Sequence, residues 1–146
     1  MKKLRSVKKI PSVNGKGVAL LRMDLDIPKN DDNRIINSIE TIEELLNKGY
    51  KVVVTGHKGR PKGIGYEEEF SLLPVYFRLK NILENKLGRK INSILIDDIT
   101  DEIKVKNAIS QCEIIFTENI RFYKGEREGN TSHLNVLKKI LSHFRL

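Results

Sequence analysis

Residues 34–57, RIINSIETIEELLNKGYKVVVTGH, hold the pattern that decides the fold. Ile35, Ile39, Ile42, Leu45 and Leu46 fall at helical spacing, which predicts a helix over Arg34 to Lys48 that Gly49 brings to a stop. Val52, Val53 and Val54 then make an unbroken apolar run closed by Gly56, as a strand covered on both faces would. Upstream, Val18 to Leu21, ending in Arg22 and Asp24, reads as another buried strand. Downstream, a loop rich in glycine and lysine runs from His57 to Gly65. Ser71 suits the N-cap of a second helix, with Pro74 tolerated in its first turn, and Leu79, Ile82, Leu83 and Leu87 carry that helix to Gly88. Ile94 to Ile96 reads as a third strand, Thr100 to Gln111 as a third helix and Ile114 to Thr117 as a fourth strand. Leu134 to Leu141 lies in a final amphipathic helix. Strands alternating with helices predict an α/β fold: a three-layer domain over residues 1–146, with a parallel sheet covered by helices on both faces.

Composition narrows the function classes. The 146 residues carry 27 basic and 19 acidic side chains, a formal net charge of +8, with 39% hydrophobic residues. That is too apolar for a disordered chain and too charged for a membrane protein. The basic N-terminus (Lys2, Lys3, Arg5, Lys8, Lys9) runs into Pro11 and Asn14 to Gly17 instead of an apolar stretch, so it does not read as a secretory signal. A single cysteine cannot form an internal disulfide, and a reducing, cytoplasmic setting is expected. The lysines are spread along the whole chain, aromatics are 6% and tryptophan is absent. Nucleic-acid binders gather charge into one stripe, so this distribution argues against nucleic acid and leaves small anions open.

Right-handed crossovers bring all four strand ends to one edge, where ligands of parallel sheets bind. The first strand is followed there by Arg22, Asp24 and Asp26, with Arg34 opening the next helix. His57, Lys58, Arg60 and Lys62 follow the second strand, and Glu118, Asn119, Arg121 and Lys124 follow the fourth. Four of the nine arginines and a histidine thus share one edge. Arginine offers a planar, permanently charged fork for carboxylate and phosphate oxygens, so the edge reads as a site for a small phosphorylated or carboxylated anion. Nucleotide motifs fail: GHKGRPKG (56–63) lacks the P-loop spacing, and no G-x-G-x-x-G opens a helix after a strand. His57, His133, His143 and Cys112 match no metal-ligand spacing. Cys112 reads as a small buried or half-buried side chain, and His133 and His143 as solvent-facing residues flanking the last helix.

Five segments carry a family resemblance: RMDLDIP (22–28), DDNR (31–34), GHKGRPKG (56–63), FSLLPV (70–75) and ENIRFYKGE (118–126). In order and spacing they resemble the R-V-D-F-N-V-P, D-x-x-R, S-H-L-G-R-P-K-G, F-S-L-x-P-V and E-N-L-R-F-Y-x-x-E segments of phosphoglycerate kinase. The resemblance implies the N-terminal, 3-phosphoglycerate-binding domain of a two-domain kinase. That kinase moves a phosphoryl group reversibly between 1,3-bisphosphoglycerate and ADP in glycolysis. By position it implies that Asp24 and Asp26 approach the glycerate portion and that Arg34, His57, Arg60 and Arg121 hold carboxylate and phosphate. Arg34 would also stabilise the phosphoryl group in flight, as a cation can when charge spreads over three oxygens. Arg22 would support the Asp24 carboxylate, with Asn119 as a further supporting residue.

Two departures stand out. Asp26 replaces the family's asparagine and puts an acceptor-only charge beside an anion, and Lys58 replaces the leucine of S-H-L-G-R, a basic supporting residue expected to offset part of that charge. The chain also stops at Leu146, before the family's nucleotide domain. The magnesium complexes of ADP and ATP would therefore bind to that absent domain, and no cofactor- or metal-binding residue is expected here. A fragment, the first half of a split gene with a separately encoded nucleotide-binding partner, and a frameshifted remnant all fit. The alternative is a non-catalytic small-anion-binding module, or an inactive remnant of the enzyme.

Overall fold

The protein is described by a computed structural model covering residues 7–15, 17–126, 128–130 and 132–142, the side chains of residues 140 and 141 excepted. In chain order its main elements are β1 (Gly17–Asp24), α1 (Asn33–Asn47), β2 (Tyr50–His57), α2 (Leu73–Leu87), β3 (Ser93–Ile96), α3 (Glu102–Gln111), β4 (Ile114–Thr117) and α4 (Asn135–Ser142). The strands lie in the order β1-β2-β4-β3, and every pairing is parallel. All four carboxyl ends therefore face one edge, as the alternation predicts.

The valine run in β2 shows why the helices divide between two faces. Successive strand residues point to opposite sides. Val52 and Val54 pack with Ile35, Ile39 and Ile42 of α1 and Leu79 and Leu83 of α2. Val53, with Ile96 and Ile115, packs on the other side against Val105 and Ile109 of α3 and Leu137 of α4. All three valines are fully buried, each contributing about 1.5–3 kcal/mol. The stop at the end of α1 is enforced sterically. Gly49 has φ +85°, and a Cβ there would meet the Val13 carbonyl oxygen at 2.0 Å. Val13 N–H donates to Lys48 O at 2.7 Å, tying the chain before β1 to the end of α1.

Four expectations need correction. β1 is not covered on both faces along Val18 to Leu21: among the described residues it is an edge strand that pairs with β2, and Leu20 on it is 45% exposed. Ser71 lies one residue before the N-cap position of α2, which Leu72 occupies, although the Ser71 hydroxyl still accepts from Leu73 N–H at 3.2 Å. α3 begins at Glu102 because the Asp101 carboxylate, and not Thr100, accepts the Lys104 N–H; the Thr100 hydroxyl donates to Asp98. His133 is not solvent-facing. It is 6% exposed in a 3-10 turn (Ser132–Leu134), its ring stacked on Tyr123 at 5.0 Å, because the turn before α4 folds back onto the segment after β4. His143 lies outside the described residues. Cys112 is buried as expected, and that burial pushes its thiol pKa up, away from thiolate chemistry.

Candidate anion-binding site

The end of β1 passes into an extended segment in which Met23, Leu25 and Ile27 are buried. The same two-residue period turns Asp24 and Asp26 outward together. Asp26 N–H donates to Asp24 Oδ1 at 3.2 Å. Arg34, in the first turn of α1, donates from Nη1 to Asp24 Oδ2 at 2.9 Å and to the Asp26 carbonyl at 3.4 Å. Three of the sequence-predicted residues thus form one connected group, with the arginine drawing the two carboxylates' segment against the helix.

In the sheet register His57 sits beside Asp24. Gly59 follows with φ +59°, and a Cβ there would lie 2.5 Å from the Phe70 ring, so this turn needs glycine. Gly59 N–H donates to Asp26 Oδ2 at 3.3 Å. Its carbonyl accepts from Arg121 Nη1 at 2.6 Å. One peptide segment therefore couples the loop after β1 to the loop after β4. The fully buried Asn119 side chain reinforces this junction. Its amide donates to Lys58 O at 2.7 Å and Phe70 O at 2.9 Å, and its oxygen accepts from Arg121 N–H at 3.1 Å.

His57 is half-buried, and its Nδ1 is buried without a hydrogen-bond partner among the described residues. Burial lowers its pKa below the ordinary 6.5, helped by the positive charge of Arg121 and opposed by Asp24. The ring is thus held neutral at pH 7 beside cations that would otherwise repel it. Arg121 also lines an open cleft of about 430 Å³ with Lys62, Lys124, the backbone of Gly63 and Gly125, and one carboxylate, Glu128. Arg60 is exposed and makes no hydrogen bond or ion pair among the described residues, which leaves its guanidinium available to a ligand.

Two supporting roles come out differently. Arg22 does not hold Asp24; its Nη2 lies 3.5 Å from Glu126 Oε1, while Arg34 takes the Asp24 carboxylate. Arg22 and Asp24 share one strand face, but Arg34 from α1 takes the Asp24 carboxylate, and Glu126 from the chain after β4 meets Arg22. Lys58 turns from Asp26 to donate to the Glu69 carbonyl at 2.8 Å. Sequence reasoning also left Glu118 without a role. Its 5% exposed carboxylate accepts from Ser71 Oγ, Leu72 N–H and Asn119 N–H, each at 2.7 Å. Glu126, equally unassigned, has Oε2 2.8 Å from His133 Nε2. Neither residue type nor spacing marks such contacts: Ser71 and Leu72 reach Glu118 from 47 and 46 residues away, and Glu126 meets His133 only because the chain reverses between them.

Chemically, the edge offers guanidinium donors for anionic oxygens and aspartate acceptors for hydroxyl groups. Among the described residues no three His, Cys, Asp or Glu side chains group to hold a metal ion. No helix there is long and apolar enough to cross a membrane.

Comparison with known proteins places these features in a wider set. A family model described as phosphoglycerate kinase matches residues 7–144. The chain is 34% identical to a phosphoglycerate kinase of Campylobacter fetus, over 99% of this chain and 36% of that protein. It is also 34% identical to one of Leptospira biflexa, over 88% and 32%. Among solved structures, the phosphoglycerate kinase of Coxiella burnetii superimposes with a TM-score of 0.63 at 30% identity, over 87% of this chain and 31% of that one. The enzyme of Pyrococcus horikoshii does so with a TM-score of 0.61 at 24% identity, over 88% and 33%, a likeness of fold. The chain spans about a third of the length of these relatives.

Proposed function

The chain belongs to the phosphoglycerate kinase family, and on that premise we propose that residues 1–146 supply the 3-phosphoglycerate-binding part of such a kinase. The reaction served is reversible phosphoryl transfer between 1,3-bisphosphoglycerate and ADP, giving 3-phosphoglycerate and ATP in glycolysis. The observation that carries this reading is the linked group Arg34–Asp24–Asp26–Gly59–Arg121 at the carboxyl edge of the sheet. It sets two guanidinium groups around outward-facing carboxylates, the complement of a small ligand bearing both hydroxyl and anionic groups.

In this reading Asp24 accepts from the ligand hydroxyl, and Arg60 and Arg121 meet its charged oxygens. Neutral His57 donates or accepts without adding charge. Arg34 keeps free N–H groups beyond its bond to Asp24 and offers them to the phosphoryl group in flight. A loose transition state spreads charge over three oxygens, so a fixed cation there is worth more than any covalent contribution. Among the described residues no three His, Cys, Asp or Glu side chains group to hold magnesium, and no step here is routed through the metal or the nucleotide. Those ligands belong to a second half of the enzyme, joined or separately encoded, in a cytoplasmic setting consistent with the lone cysteine.

Asp26, where the family carries asparagine, favours a second reading: a module that binds the anion but transfers nothing. Calorimetric titration with 3-phosphoglycerate and with ADP tests the binding, and a coupled assay tests turnover. Saturable binding of 3-phosphoglycerate without nucleotide binding is expected. Neither is turnover expected from this chain alone, because one half-site forgoes the roughly 7–11 kcal/mol that near-attack positioning supplies. Absence of 3-phosphoglycerate binding would remove the proposal.

A further inference from the structure

We infer that Glu118 is a positioning residue for the anion edge, acting through Asn119 on Arg121 and on the His57–Arg60 loop. The inference rests on the substrate reading above only for what the edge binds. A carboxylate removed from water is costly unless its oxygens are hydrogen-bonded. Glu118 is 5% exposed and has no ion pair among the described residues, yet its oxygens are well served. Oε1 accepts from Leu72 N–H and Asn119 N–H, and Oε2 from the Ser71 hydroxyl, all at 2.7 Å. These donors come from the chain entering α2 and from the chain leaving β4. Glu118 therefore pins together two segments whose side chains and carbonyls shape the site.

The consequences run outward in two directions. Asn119, its backbone fixed by Glu118, donates to Lys58 O and Phe70 O and holds the loop that carries His57 and Arg60. Its side-chain oxygen accepts from Arg121 N–H, and Arg121 in turn grips Gly59 O. The group touching the ligand is Arg121; Glu118 touches no ligand and sets where Arg121 and Gly59 sit. A charged acceptor suits this position because two backbone N–H groups and a hydroxyl converge on it. A glutamine oxygen can serve the two amides, with its NH₂ turned to Ser71 Oγ, so Glu118→Gln keeps the geometry. Alanine cannot.

Hydrogen exchange and ligand titration on Glu118→Ala, Glu118→Gln and Ser71→Ala test this. Sheet amides of Val53 and Ile115 report whether each variant is folded. In Glu118→Ala the Asn119 side-chain protons and the Arg121 amide should exchange roughly tenfold faster while the sheet amides keep their protection. Affinity for 3-phosphoglycerate should fall by roughly tenfold or more. Glu118→Gln should restore both, and Ser71→Ala, which removes one tether, should fall between. Wild-type exchange at Asn119 and Arg121 in folded Glu118→Ala overturns the inference; if that variant does not fold, the same result in Ser71→Ala does. Equal loosening of the sheet amides would mark general support of the fold and overturn it too. If wild type itself binds no 3-phosphoglycerate, the substrate reading falls while the exchange results still decide the role of Glu118.

Discussion

Arg34 Nη1 donates to Asp24 Oδ2 across 2.9 Å, with the two side chains 53% and 56% exposed. An ion pair so open to water contributes only about 0–1 kcal/mol to stability, so it orients Arg34 without consuming it. Arg34→Ala should therefore leave the unfolding free energy within ~1 kcal/mol of wild type. Loss of a charged hydrogen-bond donor to the ligand, worth about 1.5–3 kcal/mol, should weaken 3-phosphoglycerate binding by roughly 10- to 150-fold. Denaturant titration and calorimetry on one preparation check both. Large destabilisation with unchanged affinity would assign Arg34 to the fold.

His57 gives the site a pH signature. Its folded pKa lies below 6.5 through burial and then through the Arg121 charge. Between that lowered value and 6.5 the unfolded chain binds the proton that the native ring refuses. Stability from this group is complete above 6.5 and is lost as pH falls through the folded value. Wild type should lose stability relative to His57→Gln on acidification from about pH 7.5 to about pH 5, read as diverging urea midpoints. Parallel profiles would show that His57 titrates as in the unfolded chain.

The parts of this molecule legible in sequence are those set by period and by glycine. Val52 to Val54 reads as a strand because three β-branched residues in a row suit only a pleat covered on both sides, and both faces of β2 are covered. β4 starts and ends at the residues its apolar run marks. The apolar run of β1 resembles that of β2, and position within a sheet is not written into a strand's own residues. Asp24, Asp26, Arg34, His57 and Arg121 could be gathered at one edge from chain order alone. Their partners could not. The carboxylate nearest Arg22 in sequence is Asp24, whereas Glu126 reaches Arg22 from 104 residues away. His133 flanks the last helix in sequence, where exposure is expected, yet a stacked Tyr123 and the Glu126 carboxylate give it a buried place.

The edge position of β1 has a consequence for association. Among the described residues the outer edge of β1 is unpaired over eight residues and carries Leu20 at 45% exposure, whereas the other edge strand, β3, has only four residues. Long apolar edges recruit other chains, and a lysine on the open side disfavours this. The purified chain should self-associate with rising concentration in sedimentation velocity, and Leu20→Lys should shift it toward monomer. Stability of the folded unit should change by no more than ~0.5 kcal/mol, as for other exposed positions. A concentration-independent monomer in wild type would contradict this.

Asp26→Asn should strengthen 3-phosphoglycerate binding. Asp26 is exposed and is not neutralised by Arg22, which pairs with Glu126, or by Lys58, which bonds Glu69 O. Its Oδ2 accepts from Gly59 N–H at 3.3 Å, a bond that an asparagine oxygen can also accept. The substitution therefore keeps the Gly59 turn, adds an N–H donor toward the ligand and removes one negative charge. At ~5 Å from a ligand oxygen that charge costs roughly 1–3 kcal/mol for effective dielectrics of ~80 down to ~20. The gain corresponds to about five- to 150-fold in affinity, nearer the lower figure because Arg34 and Arg121 already offset the repulsion. Side-by-side calorimetric titrations at low salt and at about 0.5 M salt measure it, and the advantage of the mutant should shrink with screening. Unchanged or weaker binding at low salt would mean that the Asp26 charge serves the Gly59 turn and not ligand selection.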